Sequence, residues 1–282
     1  MTEVTMELIK ELREQTGVGI TKCKEALVAA DGNIDGAVSW LRKAGVASAV
    51  KKESREAKEG LVYIVDHAEY VSCVEVNSET DFVAQNEKFK EFAHNIAEQI
   101  AETAPANTEE LMAQKYIKDT SMTLDEYRIS QVQALGENIQ ISRFELFSKA
   151  KDVSIGFYMH MGGKVSSIVE IEGAHGQEVL CRDIAMHAVA TDPQYLDSSE
   201  IPSDVLDSEK EIIREQIKNK PAEFQDKIIE GKLRAYYETV CLVNQKFVKD
   251  PSITVQKFVD AKAKELGKTL KVKRFLRWKI GQ

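Results

Sequence analysis

The sequence predicts an α+β fold: an N-terminal three-helix bundle, a core of two related α+β subdomains with antiparallel sheets, and a projecting helical hairpin. Three observations carry this expectation. Apolar residues recur at three- and four-residue spacing up to about residue 50, the period changes to two after Gly60, and a hairpin-then-helix unit recurs further along. With 282 residues, 43% hydrophobic and 30% charged, the chain is long and apolar enough for several cores, which excludes disordered and collagenous classes.

In residues 1–50, Val4, Leu8, Ile9 and Leu12 mark a first helix that Thr16-Gly17-Val18-Gly19 interrupts. Ile20, Cys23, Ala26, Leu27 and Ala30 form the apolar stripe of a second, closed by Asp31-Gly32-Asn33. Asp35 is the expected cap of a third helix carrying Val38, Trp40 and Leu41, with Gly45 placed to end it. This bundle resembles a ubiquitin-associated domain. Residues 51–60 are charged and poor in large apolar groups, so they read as a linker or a solvated helix.

The first core subdomain, 61–140, opens with strands Leu61–Val65 and Val71–Val76 joined through His67, Ala68 and Glu69. A helix with Phe89, Phe92, Ile96 and Ile100 on one face follows. Thr123 and Glu126 then form a capping box for another helix, which Gly136 ends. A second subdomain, first part 141–191, repeats the pattern with Phe157–His160, Val165–Ile171 and a helix through Ile184-Ala185-Met186-His187. Residues 192–230 read as a helical hairpin with a narrow apolar stripe (Ile212, Ile213, Ile217; Phe224, Ile228, Ile229) turning at Asn219-Lys220-Pro221. Residues 231–282 return to the second subdomain and finish in a strand. Its alternation places Lys271, Lys273, Arg277 and Lys279 on one face, expected to be solvated.

Chemical motifs are few. The N-terminal segment is too charged for a secretory leader and no apolar run spans a bilayer, so a cytoplasmic location is expected, with no membrane partner. Cys23, Cys73, Cys181 and Cys241 stand far apart, which suits buried free thiols. Gly17-Val18-Gly19 with Lys22 lacks the third glycine of a phosphate loop, and Gly162-Gly163-Lys164 lacks the flanking residues of a P-loop, so both read as turns. His67, His94, His160, His175 and His187 make no metal-ligand spacing, and Met159-His160-Met161 supplies too few converging ligands for a soft metal. Asp183 and His187, one helical turn apart, are an expected hydrogen-bonded pair. Neither a cofactor nor an enzymatic centre is expected, and the net charge of −8 makes direct nucleic-acid binding the minority reading. Thr80-Asp81-Phe82-Val83-Ala84 is the most informative stretch. In a connecting loop, its phenylalanine either folds back onto the core or stands out as an anchor for another protein.

Four motifs in order then carry a resemblance that spans residues 1 to about 280. Leu12-Arg13-Glu14-Gln15-Thr16-Gly17-Val18-Gly19 with Cys23-Lys24, Glu75-Val76-Asn77 leading into Thr80–Ala84, Gly136–Ile139 with Arg143, and Ile184–His187 are similar to signatures of the bacterial elongation factor Ts family. The resemblance implies a guanine-nucleotide exchange factor that binds elongation factor Tu, GDP-bound or nucleotide-free. Thr80, Asp81, Phe82 and Val83 would disturb the partner's Mg²⁺ site, and Leu12, Arg13, Thr16, Gly17, Gly19, Cys23 and Lys24 would form an N-terminal docking surface. It also implies that the C-terminal helix contact of longer members is absent or replaced after Gln282, that 103–122 is longer than usual with a surface loop at Ala104–Thr108, and that homodimerisation through the hairpin stays open. From the residues alone, a ubiquitin-associated-type adaptor or chaperone and, behind it, an RNA-binding module using the basic end are the alternatives.

Overall fold

The computed structural model describes residues 4–282; residues 1–3, at the head of the expected bundle, lie outside them. The chain divides into two compact units. The first holds the described residues up to Ser148 with Met161–Lys164 and Lys279–Gln282, and the second holds Lys149–His160 and Val165–Trp278.

In the first unit, α1 (Met6–Thr16), α2 (Ile20–Ala29) and α3 (Ile34–Glu53) enclose Ile9, Leu12, Val18, Cys23, Ala26, Leu27, Ala37 and Leu41. Gly17 ends α1 in the left-handed conformation, its N–H returning to the Arg13 carbonyl at 2.8 Å. Two expectations are corrected in α3. Asn33, not Asp35, caps it, accepting from the Gly36 N–H at 2.7 Å. The helix also continues through Gly45 to Glu53, into residues expected to be a linker or a solvated helix. Gly45 does not stop it because it faces another helix: a Cβ there would stand 2.8 Å from the Gln133 side chain, whose amide donates to the Leu41 carbonyl at 2.8 Å. A helical glycine costs about 1 kcal/mol against alanine, and this contact offsets it.

Strands β1 (Glu59–Asp66) and β2 (Tyr70–Ser78) pair antiparallel, followed by α4 (Asp81–Ala84) and α5 (Glu87–Thr103). The expected surface loop is shorter than the sequence suggests. Asn107 caps α6 (Thr108–Ala113), and a small hairpin of β3 (Lys115–Tyr116) and β4 (Asp119–Thr123) follows. Next, α7 (Leu124–Leu135) starts with the expected Thr123/Glu126 capping box and stops at Gly136. Finally β5 (Gln140–Ser148) joins the sheet in the order β1-β2-β5. Because β2 is the middle strand, it is buried almost throughout, with Phe89, Phe92, Ile96 and Ile100 of α5 in the same core.

The second unit repeats this plan further than the sequence reveals. Antiparallel β6 (Val153–His160) and β7 (Val165–Glu172) lead into α8 (Glu178–Thr191). After α9 (Ser203–Ile217) and α10 (Ala222–Val240) come β8 (Lys246–Phe247), β9 (Asp250–Thr254), α11 (Val255–Leu266) and β10 (Lys271–Lys279), with sheet order β10-β7-β6. The small hairpins match in register: Lys115 faces Thr123 as Lys246 faces Thr254, and Tyr116 faces Asp119 as Phe247 faces Asp250. Each middle strand also buries a glutamate met by an arginine from the third strand. Arg143 reaches Glu75 at 2.7 Å, and Arg274 reaches Glu170 at 2.7 Å with Lys273 on the other oxygen at 2.8 Å. Burial pushes the Glu170 carboxyl up, but the hydrogen bonds from Lys273 and Arg274 outweigh it and hold it below the ordinary carboxylate value.

The basic face of the last strand is solvated at Lys271, Lys273 and Lys279, as expected, but not at Arg277. Lys273 neutralises Glu170, and Arg277 pairs with Asp192 at 2.7 Å. In the helical hairpin, Ile213 and Ile217 are buried, while Ile212 and Phe224 are each 52% exposed. Its second helix runs to Val240, beyond the expected end at 230. At the neck, the Tyr195 N–H donates to the Val240 carbonyl at 3.1 Å and the Leu242 N–H to the Tyr195 carbonyl at 2.9 Å.

Helix α8 lies against β6 at Gly156, where a Cβ would stand 2.5 Å from both the Arg182 nitrogen and the Glu178 oxygen of the helix backbone. Gly156→Ala is therefore expected to destabilise the protein by about 1–3 kcal/mol, read as a lowered denaturant midpoint. An unchanged midpoint would contradict the close approach.

Candidate functional site

The Thr80–Val83 stretch is expected in a connecting loop, yet it forms a single helical turn, and local chemistry explains why. Thr80 has extended backbone angles and its hydroxyl accepts from the Val83 N–H at 3.4 Å, while Asp81 brings a negative charge to the helix start. Val83 and Ala84 pack into the core of the first unit. That orientation turns Phe82 away from the core, and it is 85% exposed. Burying such a ring would ordinarily contribute roughly 1.5–3 kcal/mol, so its exposure forgoes a sizeable stabilisation. The fold-back alternative is not what the chain adopts. The Asp81 carboxylate has neither a hydrogen-bond nor an ion-pair partner among the described residues.

The turn is held from behind by the Gly136–Asn138 turn that follows α7. One Glu137 oxygen accepts from the Glu79 and Thr80 N–H groups at 3.1 and 3.0 Å, and the other accepts from the Thr80 hydroxyl at 2.6 Å. Glu79 returns the bond, accepting from the Asn138 N–H at 2.7 Å and from Arg55 at 3.4 Å. Bonds to a charged acceptor contribute roughly 1.5–3 kcal/mol each, so this mutual capping outweighs the intrinsic weakness of a four-residue helix. One strand earlier, Arg143 holds Glu75, whose other oxygen accepts from Asn77 at 3.1 Å. Of the expected motif residues, Glu137 and Asn138 thus lie behind the Phe82 turn, whereas Arg143 acts on Glu75 within the sheet. Sequence reading does not find the reciprocal Glu79/Glu137 arrangement; two glutamates 58 residues apart carry no local signal of it.

The N-terminal residues divide. Arg13, Gly19 and Lys24 are exposed, and Thr16 and Gly17 are half-buried. Leu12 and Cys23 are fully buried in the bundle, so they hold its shape and are not on its surface. Conversely Ile20, expected in the apolar stripe of α2, is 48% exposed, and Met6 is 65% exposed. With Glu7, Ile9, Lys10 and Arg13 they line a shallow groove that the sequence pattern does not reveal. Met6 falls off the stripe set by Val4, Leu8, Ile9 and Leu12, which is the one signal that could have found it.

Several other groups that the sequence singles out make local contacts. Asp183 and His187 do not pair: Asp183 takes Lys249 at 2.7 Å, and His187 Nε2 meets the Gln245 carbonyl oxygen at 3.0 Å. The Val248 N–H donates to His187 Nδ1 at 3.2 Å, so Nδ1 is the acceptor and the ring proton sits on Nε2. All four cysteines are buried and free, and burial pushes the thiols up, to about 12 for Cys181 and about 11 for Cys241. Lys164, after the paired glycines, meets Glu59 at 3.4 Å. Among the described residues no helix is long and apolar enough to cross a membrane.

A chain with this fold is similar to translation elongation factors. The family model described as elongation factor TS matches residues 79–282. Elongation factor Ts of Protochlamydia amoebophila (strain UWE25) is 50% identical over 282 residues, covering the whole of both chains. Those of Chlamydia felis (strain Fe/C-56) and Chlamydia trachomatis serovar L2b are 45% and 42% identical over 281 residues, again at full length on both sides. The chain belongs to the elongation factor Ts family.

Burial lowers the His187 imidazole below its ordinary value of 6.5, against a smaller upward pull from Gln245. A ring kept neutral in the fold but free to protonate once unfolded contributes stability above its unfolded value and withdraws it as the pH falls. Melting temperature is expected to be level above about pH 7 and to drop from pH 6.5 downward. His187→Gln should flatten that slope, and an equal slope in the variant would exclude the histidine as its source.

Proposed function

We propose that the chain is a guanine-nucleotide exchange factor that binds elongation factor Tu, GDP-bound and nucleotide-free, and speeds GDP release without chemistry of its own. It needs no cofactor and works in the cytoplasm. The observation that carries this reading is Phe82: a ring 85% exposed on a turn fixed by both oxygens of Glu137. An apolar ring on a mobile loop would turn aside on contact, whereas one on a buttressed helix can displace what it meets. Membership of the elongation factor Ts family supports elongation factor Tu as the partner.

In this reading Phe82 enters beside the partner's Mg²⁺ site. Mg²⁺ demands near-ideal octahedral geometry, so a small shift of the surrounding elements weakens the metal and, with it, the grip on the diphosphate. Asp81, with no partner of its own, adds a negative charge next to the ring and disfavours the anionic phosphates further. The coupling is reciprocal: the factor by which the exchange factor weakens GDP is the factor by which GDP weakens its own binding, so nucleotide reloading releases the complex. The bundle supplies affinity through the groove of Met6, Ile9 and Ile20, flanked by Lys10, Arg13 and, on the next turn of α2, the exposed Lys24.

Two roles predict two kinetic signatures. Phe82→Ala is expected to slow catalysed GDP release roughly 10- to 100-fold at saturating factor, about 1.4–2.7 kcal/mol of lost transition-state stabilisation. Fluorescent-GDP displacement from elongation factor Tu measures it, and an undiminished rate would remove the wedge. Ile20→Glu is expected instead to raise the half-saturating concentration by about tenfold with the maximal rate kept. A lowered maximal rate with unchanged half-saturation would move the groove out of the docking surface.

A further inference from the structure

We propose that the Gly136–Asn138 turn is a positioning clasp that locks the Phe82 turn to the end of α3, so that the N-terminal bundle and the ring meet the partner as one rigid body. The inference rests on the exchange reading above and adds the device by which docking of the bundle reaches the ring.

The same three residues face two ways. Toward the ring, Glu137 takes the Glu79 and Thr80 N–H groups and the Thr80 hydroxyl, and the Asn138 N–H is taken by Glu79. Toward the bundle, the Asn138 side-chain amide donates to the Arg55 carbonyl at 2.8 Å and the Glu53 carbonyl at 3.4 Å, where α3 ends. Lys52, in the last turn of α3, donates to the Gly136 carbonyl at 2.6 Å, and Arg55 reaches forward to Glu79. Most of these bonds have a backbone atom at one end, so the clasp fixes main chain more than tips of side chains. Asn138 is buried, which keeps water from competing for its amide. Farther back, Gln133 on α7 binds the Leu41 carbonyl of α3, so the helix is fastened at two points along its length. A partner gripped by the bundle therefore has the ring at a fixed offset.

Isosteric cuts on each side test it. Glu137→Gln removes the charged acceptor facing the ring, and Asn138→Asp replaces the donor facing α3 with an acceptor. Both are expected to lower the maximal rate of GDP release from elongation factor Tu by roughly tenfold or more, since a misplacement of about 1 Å can cost more than that. The half-saturating concentration should move by less than about threefold, because docking contacts are untouched. Amide exchange at Glu79 and Thr80 should quicken in Glu137→Gln at the same time. Should either variant fail to fold, Thr80→Val, lacking only the hydroxyl that Glu137 accepts, carries the same expectation. Full maximal rates in the clasp variants, with Phe82→Ala impaired, would overturn the clasp while leaving the exchange reading intact. A full rate in Phe82→Ala would overturn both.

Discussion

One carboxylate organises the turn that carries Phe82. Thr80 and Glu79 present backbone N–H groups at the point where β2 gives way to α4, and a helix of four residues has too few internal bonds to satisfy them. Glu137 meets those donors from a turn that is distant in sequence, and Glu79 repays it through Asn138. With the donors satisfied, the short helix is stable enough to keep Val83 and Ala84 in the core and Phe82 out of it. The exposure of the ring is thus a consequence of hydrogen bonding behind it.

The same logic, on a larger scale, shapes both sheets. A buried glutamate in the middle strand is tolerable only with a cation delivered by its neighbour, because a carboxylate taken out of water without one is costly. Glu75 with Arg143 and Glu170 with Arg274 therefore fix which strand lies third in each sheet. The two halves share this pair, the small hairpin with its threonine cap, and the glycine that ends the following helix.

Much of the fold is readable from local pattern. The bundle stripe, the β1-β2 hairpin, the Thr123 capping box and the Gly136 stop each depend on residues a few positions apart. What escapes is set by neighbours far along the chain. Gly45 looks like a helix end until Gln133 is placed beside it, and Arg277 looks solvated until Asp192 faces it. The candidate site follows the same division. Phe82 stands out as a motif, but whether it folds inward depends on Glu137, and Leu12 and Cys23 look like surface residues of a motif although helical spacing puts them inside. The Asp183/His187 spacing is likewise correct for a pair, and Gln245 and Lys249 win the competition for both side chains.

The repeat is unequal in one respect: where α5 passes to α6 through a few residues, the second half carries α9 and α10 between α8 and β8. The strand-like stitch of Tyr195 to Val240 and Leu242 brings the two ends of that excursion side by side. An arm that leaves and re-enters a scaffold through one closed doorway imposes almost no strain on what lies beneath it. A change in the length or charge of that arm would therefore leave the strands and helices at its neck in place.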